Sequence, residues 1–182
     1  MAAIRVVVPL APGFEELEMV APVDLLRRAG AEVTLASVDG APLVIGRTGI
    51  VVRAELTLDE ALAEPAPYDL VLIPGGPAVT ALRKDARLTG LVRDAQARGA
   101  WLGAICAAPL VLKDAGVLPE SFTAHDSCLS ELPAAQLRHK VVQDGRVITS
   151  RGAGTAVEFG LTLVGALFGS LKAEAVRSAI MA

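Results

Sequence analysis

The sequence has few aromatic residues and few cysteines. Aromatic side chains make up 3% of its 182 residues, whereas hydrophobic residues make up 53%, so the core must consist mainly of aliphatic side chains. Such a composition is common in α/β proteins whose parallel strands are buried on both faces. Two cysteines in a chain of this length exclude a disulfide framework. The length suits one domain, which we expect to cover residues 1–182.

Long apolar runs and a surplus of positive charge are also absent. No apolar run reaches the roughly 18 residues that a membrane-spanning helix needs. The formal net charge is -3, which argues against a surface for nucleic acids or anionic membranes. The N-terminal residues lead directly into an apolar strand and have no secretion-signal pattern. These absences predict a soluble protein located in the cytoplasm.

Alternating strand and helix signals predict an α/β fold. Apolar segments indicate buried strands, and periodic segments followed by glycine indicate helices. The predicted strands are residues 4–10, 32–38, 69–73 and 100–105, and the predicted helices are residues 14–29, 86–98, 107–115 and 155–168. This alternation favours a mostly parallel sheet with helices on both faces. In such sheets, functional residues gather beyond the carboxyl ends of the strands.

Smaller features complete the predicted fold. An Asp-Gly pair predicts a hairpin over residues 141–150, and a short strand is predicted over residues 121–124. The spacing of residues 155–158 is that of a capping box. Pro22 removes the hydrogen bond to the carbonyl of Glu18 and should kink the first helix.

A cysteine lies at the predicted junction between a strand and a helix. Ala104 and Ala108, two residues before and two after Cys106, are both small, which is the spacing of a nucleophile elbow. At a helix N-terminus, the dipole and the free N–H groups would favour a thiolate and lower the pKa of Cys106. The alternative is a small buried core residue, because free cysteines are often buried.

Four segments together resemble the ThiJ/PfpI superfamily. They are GFEELE at 13–18, LIPGG at 72–76, AICAAP at 104–109 and TSRGAGT at 149–155. Their order and spacing agree with the family over essentially the whole chain. The similarity is greatest to the branch that holds the human parkinsonism-associated deglycase and its bacterial oxidative-stress chaperone relatives. The resemblance implies a flavodoxin-like three-layer sandwich, usually assembled as a homodimer.

The resemblance also implies a set of site residues. Cys106 matches the reactive, oxidation-prone cysteine of the family, and Glu18 matches the acid on the facing turn that hydrogen-bonds its sulfur. Gly75 and Ala107 match positions whose backbone N–H groups can hold an oxyanion. The resemblance further implies three residues beside the substrate pocket, which are Gly76, Arg28 and Arg47. For the two arginines, a place at the dimer contact is the alternative. Judged without the family, Glu18 would be an exposed helix residue.

Histidines bear on the alternatives within the family. The peptidase branch carries a histidine directly after its cysteine, where this chain has Ala107, so proteolysis is disfavoured. His125 is a candidate catalytic residue, because family members often carry a histidine after that short strand; a surface or packing role is the alternative. His125 and Cys128 have a metal-like spacing, but zinc needs three or four protein ligands. We therefore predict no metal and no cofactor.

These observations lead to two main hypotheses. A carboxylate beside a thiolate would raise the pKa of both groups, so Glu18 and Cys106 are expected to share one proton. In the first hypothesis, the chain is a cofactor-independent glyoxalase or deglycase that acts on methylglyoxal or glycated adducts. In the second, it is a redox-sensing chaperone, and oxidation of Cys106 controls its activity towards client proteins. An intracellular cysteine peptidase ranks last.

Overall fold

The computed structural model describes residues 3–182. Its strands are β1 (Arg5–Leu10), β2 (Glu32–Ser37), β3 (Leu43–Ile45), β4 (Val51–Arg53), β5 (Leu56–Thr57), β6 (Leu70–Ile73), β7 (Trp101–Ile105), β8 (Val141–Asp144) and β9 (Val147–Ser150). Its α-helices are α1 (Glu16–Ala29), α2 (Leu58–Ala63), α3 (Val79–Leu82), α4 (Ala86–Ala97), α5 (Pro109–Asp114), α6 (Ala156–Phe168) and α7 (Ser170–Ala179). In this part of the chain, every helix is too short or too polar to cross a membrane.

Seven of these strands form one sheet in the order β5-β2-β1-β6-β7-β9-β8. Its neighbouring strands are parallel except β8 and β9, which form the predicted hairpin. The remaining two strands, β3 and β4, form a separate antiparallel hairpin. Helices α1, α6 and α7 pack together, and α4 packs with α2 and α5 in a second group. The predicted flavodoxin-like α/β architecture, with a mostly parallel sheet, is confirmed.

The central strands are apolar along their length because they are covered on both faces. All residues of β6 and the three valines of β1 have no exposed surface. Burial of each such side chain contributes roughly 1.5–3 kcal/mol. Leucines dominate the largest fully buried side chains, and Phe14 and Phe159 are the aromatic members of that group. This aliphatic core fixes the ends of β1, β6 and β7, where the candidate site lies.

Helix α1 begins two residues later than predicted, at Glu16. Glu15 is its N-cap, and the Glu15 carboxylate accepts a hydrogen bond from the N–H of Glu18 at 2.9 Å. The helix continues through Pro22 without a break. Pro22 packs closely on α6, where a Cβ on Gly160 would lie 2.9 Å from the Pro22 Cα. This close approach positions α1, and with it Glu18, against α6.

Two of the smaller predictions are wrong. Residues 121–124 form no strand, and the N–H of Thr123 donates to the hydroxyl of Thr149 at 2.9 Å instead of to a strand carbonyl. The capping box at 155–158 does not form. The Thr155 hydroxyl turns back to bond the loop that precedes α6, so it is not available to cap the helix.

Candidate active site

Cys106 lies in the turn between β7 and α5 and has a left-handed backbone conformation, with a φ of 64°. For a residue other than glycine, this conformation costs on the order of 1–3 kcal/mol. Two hydrogen bonds hold it: the Cys106 N–H donates to the carbonyl of Ser150 at 2.8 Å, and the Cys106 carbonyl accepts from the N–H of His125 at 2.9 Å. Helix α5 begins only at Pro109. The thiol therefore lies in a strained turn before the helix, as in a nucleophile elbow.

The Glu18 carboxyl lies against the Cys106 thiol. Glu18 is only 1% exposed, and its carboxyl is near enough to the thiol for each group to shift the pKa of the other. The N–H of Gly75 donates to Oε2 of Glu18 at 2.9 Å. A Cβ on Gly75 would lie 2.6 Å from that oxygen and 2.7 Å from the Cβ of Cys106. The acid and the thiol can meet only because residue 75 has no side chain.

Two backbone N–H groups, those of Gly76 and Ala107, are near enough to the Cys106 sulfur to lower the pKa of the thiol. Gly76 has a φ of 88°, and a Cβ there would lie 2.5 Å from the nearest carbonyl oxygen. Ala107, one of the two predicted oxyanion donors, is therefore beside the sulfur. The N–H of the other, Gly75, donates to Glu18. Negative charge that develops at this point would meet both donors.

Burial raises the pKa of Glu18 to about 7, although hydrogen bonds from Cys106 and Gly75 act in the opposite direction. Burial, followed by the negative charge of Glu18, raises the pKa of Cys106 to about 12. This direction is opposite to the lowered thiol pKa that the sequence suggests, because the carboxylate repels a thiolate. When Glu18 carries a proton, that repulsion disappears and the N–H groups of Gly76 and Ala107 favour the thiolate. A thiolate at Cys106 is therefore favoured when its proton passes to Glu18.

His125 borders the pair without directing its Nδ1 towards the sulfur. The exposed ring has its Nδ1 2.9 Å from the Ser127 hydroxyl and 3.0 Å from Oδ1 of Asp126. Nδ1 accepts from the Ser127 N–H in the tautomer that carries its proton on Nε2. A Cβ on Gly152 would lie 3.5 Å from the ring and 3.9 Å from Oε1 of Glu18. His125 is thus at the edge of the site, held by its own loop.

The structure separates the two arginines predicted beside the pocket. Arg47 is exposed in the turn between β3 and β4, where its N–H donates to the carbonyl of Phe14 at 2.9 Å. Its charge is near enough to lower the pKa of Glu18. Arg28 pairs with Asp24 at 2.7 Å in the last turn of α1, about 15 Å along the helix from Glu18. Of these two arginines, Arg47 is the one near the pair.

Two further acids at the start of α1 are buried, which the sequence does not indicate. Glu15 and Glu16 are 8% and 5% exposed. Glu15 caps α1, and its charge contributes to the raised pKa of Glu18. Oε1 of Glu16 accepts from the N–H and the hydroxyl of Thr48 at 2.7 and 2.6 Å, which ties the β3–β4 hairpin to α1. A run of acids at the start of a helix resembles an exposed face, so no local pattern indicates these contacts.

Metal-ligating side chains are not clustered in the described part of the chain. No group of three or more His, Cys, Asp or Glu side chains within residues 3–182 is arranged to hold a metal ion. Cys128 is a buried thiol whose Sγ lies 3.9 Å from the Ser127 hydroxyl. The chemistry that the observed residues themselves offer is that of the Glu18–Cys106 pair.

Comparisons with known proteins agree with this fold. The DJ-1/PfpI family model matches residues 4–166. The Parkinson disease protein 7 homolog of Danio rerio is 36% identical over 187 residues, covering 100% of this chain and 98% of that protein. The glutathione-independent glyoxalase DJR-1.2 of Caenorhabditis elegans is 32% identical over 167 residues, 89% of this chain and 87% of that protein. The solved structure of oxidized Toxoplasma gondii DJ-1 matches with a TM-score of 0.92 and 33% identity over 98% of each chain. By motif, fold and similarity along nearly its whole length, this chain belongs to the DJ-1/PfpI family.

Proposed function

We propose that this chain is a cofactor-independent glyoxalase or deglycase that acts on methylglyoxal or on glycated adducts. The observation that carries the proposal is the buried Glu18 carboxyl against the Cys106 thiol. An acid with a pKa of about 7 can both give and accept a proton near neutral pH, as a proton shuttle must. The similarity to a relative named as a glutathione-independent glyoxalase supports the same activity.

The first step is attack on the aldehyde carbon of methylglyoxal by the Cys106 thiolate, which forms as the Glu18 carboxylate takes the thiol proton. A C–S bond forms, and the carbonyl oxygen takes up negative charge. The N–H groups of Gly76 and Ala107 stabilise that charge, and Glu18 supplies the proton that completes a hemithioacetal.

The second step moves a proton between the two carbons of the adduct. The Glu18 carboxylate removes the proton from the former aldehyde carbon and returns it to the neighbouring carbon. The hydroxyl proton of the hemithioacetal moves to the oxygen on that neighbouring carbon, and the product is a thioester of lactate. Water then hydrolyses the thioester, which releases lactate and regenerates the Cys106 thiol. The oxidation of one carbon balances the reduction of the other, so the reaction needs no external oxidant or reductant.

Redox sensing is the second candidate function. In this alternative, oxidation of Cys106 controls chaperone activity or the choice of client proteins, without significant turnover. The two backbone N–H groups near the sulfur support this alternative, because they could also donate to the oxygens of a sulfinate. A protonated Glu18 could donate to one of the same oxygens. A peptidase is the least favoured function, because Ala107 occupies the position where the peptidase branch has its histidine.

Consumption of methylglyoxal by the purified protein, followed with lactate formation, tests the first candidate. We expect Cys106→Ala to abolish turnover and Glu18→Gln to lower kcat by about a hundredfold or more. Cys128→Ala is the matched control and should retain turnover. Turnover that survives Cys106→Ala would exclude the proposed mechanism. Absence of turnover, combined with aggregation suppression that depends on Cys106 oxidation, would favour the second candidate.

We also propose that the protein is a homodimer. Exposed apolar side chains gather on a face formed by α1 and the β3–β4 hairpin, which we call the α1–hairpin face. They are Leu17, Val20, Leu43, Ile45, Ile50 and Val51. The Gly13 N–H bonds the Ile45 carbonyl at 2.8 Å, which keeps the hairpin beside α1. A grouped apolar surface is typical of an interface, and a two-fold axis would cover it in both copies.

A further inference from the structure

A depression of about 380 Å³ lies beside the Glu18–Cys106 pair. Its lining consists of His125, Asp126, Arg151, Gly152, Ala153, Gly154 and Thr155. Two contacts connect it to the site. The Cys106 N–H donates to the carbonyl of Ser150 at 2.8 Å, directly before Arg151, and a Cβ on Gly152 would lie 3.9 Å from Oε1 of Glu18. A compound held in this depression would therefore be next to the reactive pair.

Arg151 supplies an uncommitted positive charge to the depression. Its side chain is exposed and forms no ion pair with a carboxylate of residues 3–182. Arg83 and Arg87, in contrast, each bond two carboxylates. The acid that shares the depression, Asp126, lies 3.0 Å from Nδ1 of His125.

The backbone around Arg151 is well held. Its N–H donates to the carbonyl of Lys140 at 3.1 Å, and the next residue, Gly152, donates to the Thr155 hydroxyl at 3.2 Å. The guanidinium is thus carried on a fixed loop. A planar guanidinium with free N–H groups binds a carboxylate through two parallel hydrogen bonds.

We propose that Arg151 is a substrate-recognition residue that favours carbonyl compounds carrying a carboxylate. The substrate class that follows is an α-oxoaldehyde, or a glycated adduct, with an anionic group a short distance from its reactive carbonyl. This substrate class rests on the proposed function. The preference for negative charge at Cys106 is independent of turnover and can be measured without it.

Two alkylating reagents that differ mainly in charge provide that measurement. Iodoacetate and iodoacetamide both transfer a two-carbon group to the Cys106 thiolate with loss of iodide, and only iodoacetate is an anion. Peptide mass spectrometry gives the rate at Cys106 for each reagent separately from Cys128. We expect Arg151→Gln to lower the ratio of the iodoacetate rate to the iodoacetamide rate about fivefold at low salt. High salt should reduce this effect.

Three variants make the result specific. Arg93→Gln removes the same charge from α4, outside the depression, and should leave the ratio unchanged. Arg151→Lys keeps the charge and should restore most of the ratio. The proposal is overturned if Arg151→Gln leaves the ratio unchanged, if both reagents slow equally, or if Arg93→Gln has the same effect.

A turnover experiment separates this proposal from the proposed function. Phenylglyoxal and 4-carboxyphenylglyoxal differ by one distant carboxylate, and we expect Arg151→Gln to lower kcat/KM about fivefold only for the second compound. Equal losses with both compounds would overturn the role in recognition. If the wild type turns over neither compound, the glyoxalase function fails, while the alkylation ratio still decides whether Arg151 selects anions.

Discussion

The N–H of Gly75 donates to Oε2 of Glu18 at 2.9 Å and fixes the carboxyl against the Cys106 thiol. The same residue leaves the space in which the two side chains meet, because a Cβ on Gly75 would lie 2.6 Å from Oε2 of Glu18 and 2.7 Å from the Cβ of Cys106. One glycine therefore both orients the acid and admits the thiol.

Gly75→Ala should disrupt the Glu18–Cys106 pair. The added methyl group would displace the carboxyl or the thiol, and we expect a loss of about 1–3 kcal/mol in the free energy of unfolding together with an altered Cys106 alkylation rate. Chemical denaturation and mass spectrometry measure the two effects. Gly90→Ala in α4 is the control: a Cβ there meets nothing within 4 Å, so it should be neutral or slightly stabilising. Equal stability in both variants would contradict the steric argument.

The raised pKa of Glu18 predicts a specific dependence of stability on pH. The folded state holds the Glu18 proton up to about pH 7, whereas the unfolded chain releases it near the ordinary glutamate pKa of 4.5. The contribution of Glu18 is therefore fully present below about pH 4.5 and is lost as pH rises through 7. Relative to Glu18→Gln, the wild type should lose roughly 3 kcal/mol of unfolding free energy between pH 4.5 and pH 8.

Denaturation at a series of pH values measures this difference. Glu120→Gln removes an exposed carboxyl elsewhere and should run parallel to the wild type. A wild-type curve that also runs parallel to Glu18→Gln would show that Glu18 is not protonated on folding.

Glu15 should influence the site through charge and through capping, and two substitutions separate these effects. Glu15→Ala removes the acceptor for the Glu18 N–H and should cost about 1 kcal/mol of stability. Glu15→Gln keeps an acceptor but removes the charge that raises the pKa of Glu18. The pH profile of Cys106 alkylation should then shift to lower pH in both variants, with the larger stability loss in Glu15→Ala. An unshifted profile in Glu15→Gln would argue against charge coupling.

The proposed dimer can be tested at the α1–hairpin face. Leu17 is 60% exposed on α1, so Leu17→Glu should leave the fold intact but place a charge at the centre of a two-fold contact. Sedimentation velocity should then show a shift from dimer to monomer. Leu171→Glu, at a residue 89% exposed on α7, should remain a dimer. A wild-type protein that sediments as a monomer at high concentration would refute the assembly.

Some of the site could be predicted because its signals are local. Apolar segments with glycine stops indicated the parallel sheet, and the small residues around Cys106 indicated its tight turn. The hydrogen bond from Gly75 to Glu18 could not be predicted, because it joins residues 57 positions apart. The raised thiol pKa likewise depends on the burial of Cys106 and then on the charge of Glu18, and the sequence encodes neither locally.

The positions of charged side chains were the hardest to predict. Arg28 and Arg47 are similar candidates in the sequence. In the structure, Arg28 lies at the far end of α1, away from the site, whereas Arg47 lies in the β3–β4 turn, close to it. Glu16, at the start of α1, is buried where its carboxylate accepts hydrogen bonds from Thr48 of the β3–β4 hairpin. Such contacts join segments whose relative placement is known only after the whole sheet has formed.

The order of the strands has a consequence for how the site comes into being. Four strands of the sheet carry the site, because each is followed by a site residue or ends in one: β1 by Glu18, β6 by Gly75, β7 by Cys106 and β9 in Ser150. Parallel strands pair only through crossover connections. Contacts of such long range form slowly during folding. Until these strands are aligned, Cys106 is an ordinary thiol with no acid beside it and no backbone donors at its sulfur. In a newly made or partly unfolded chain, Cys106 therefore reacts with electrophiles and oxidants as an ordinary thiol, unlike Cys106 in the folded protein.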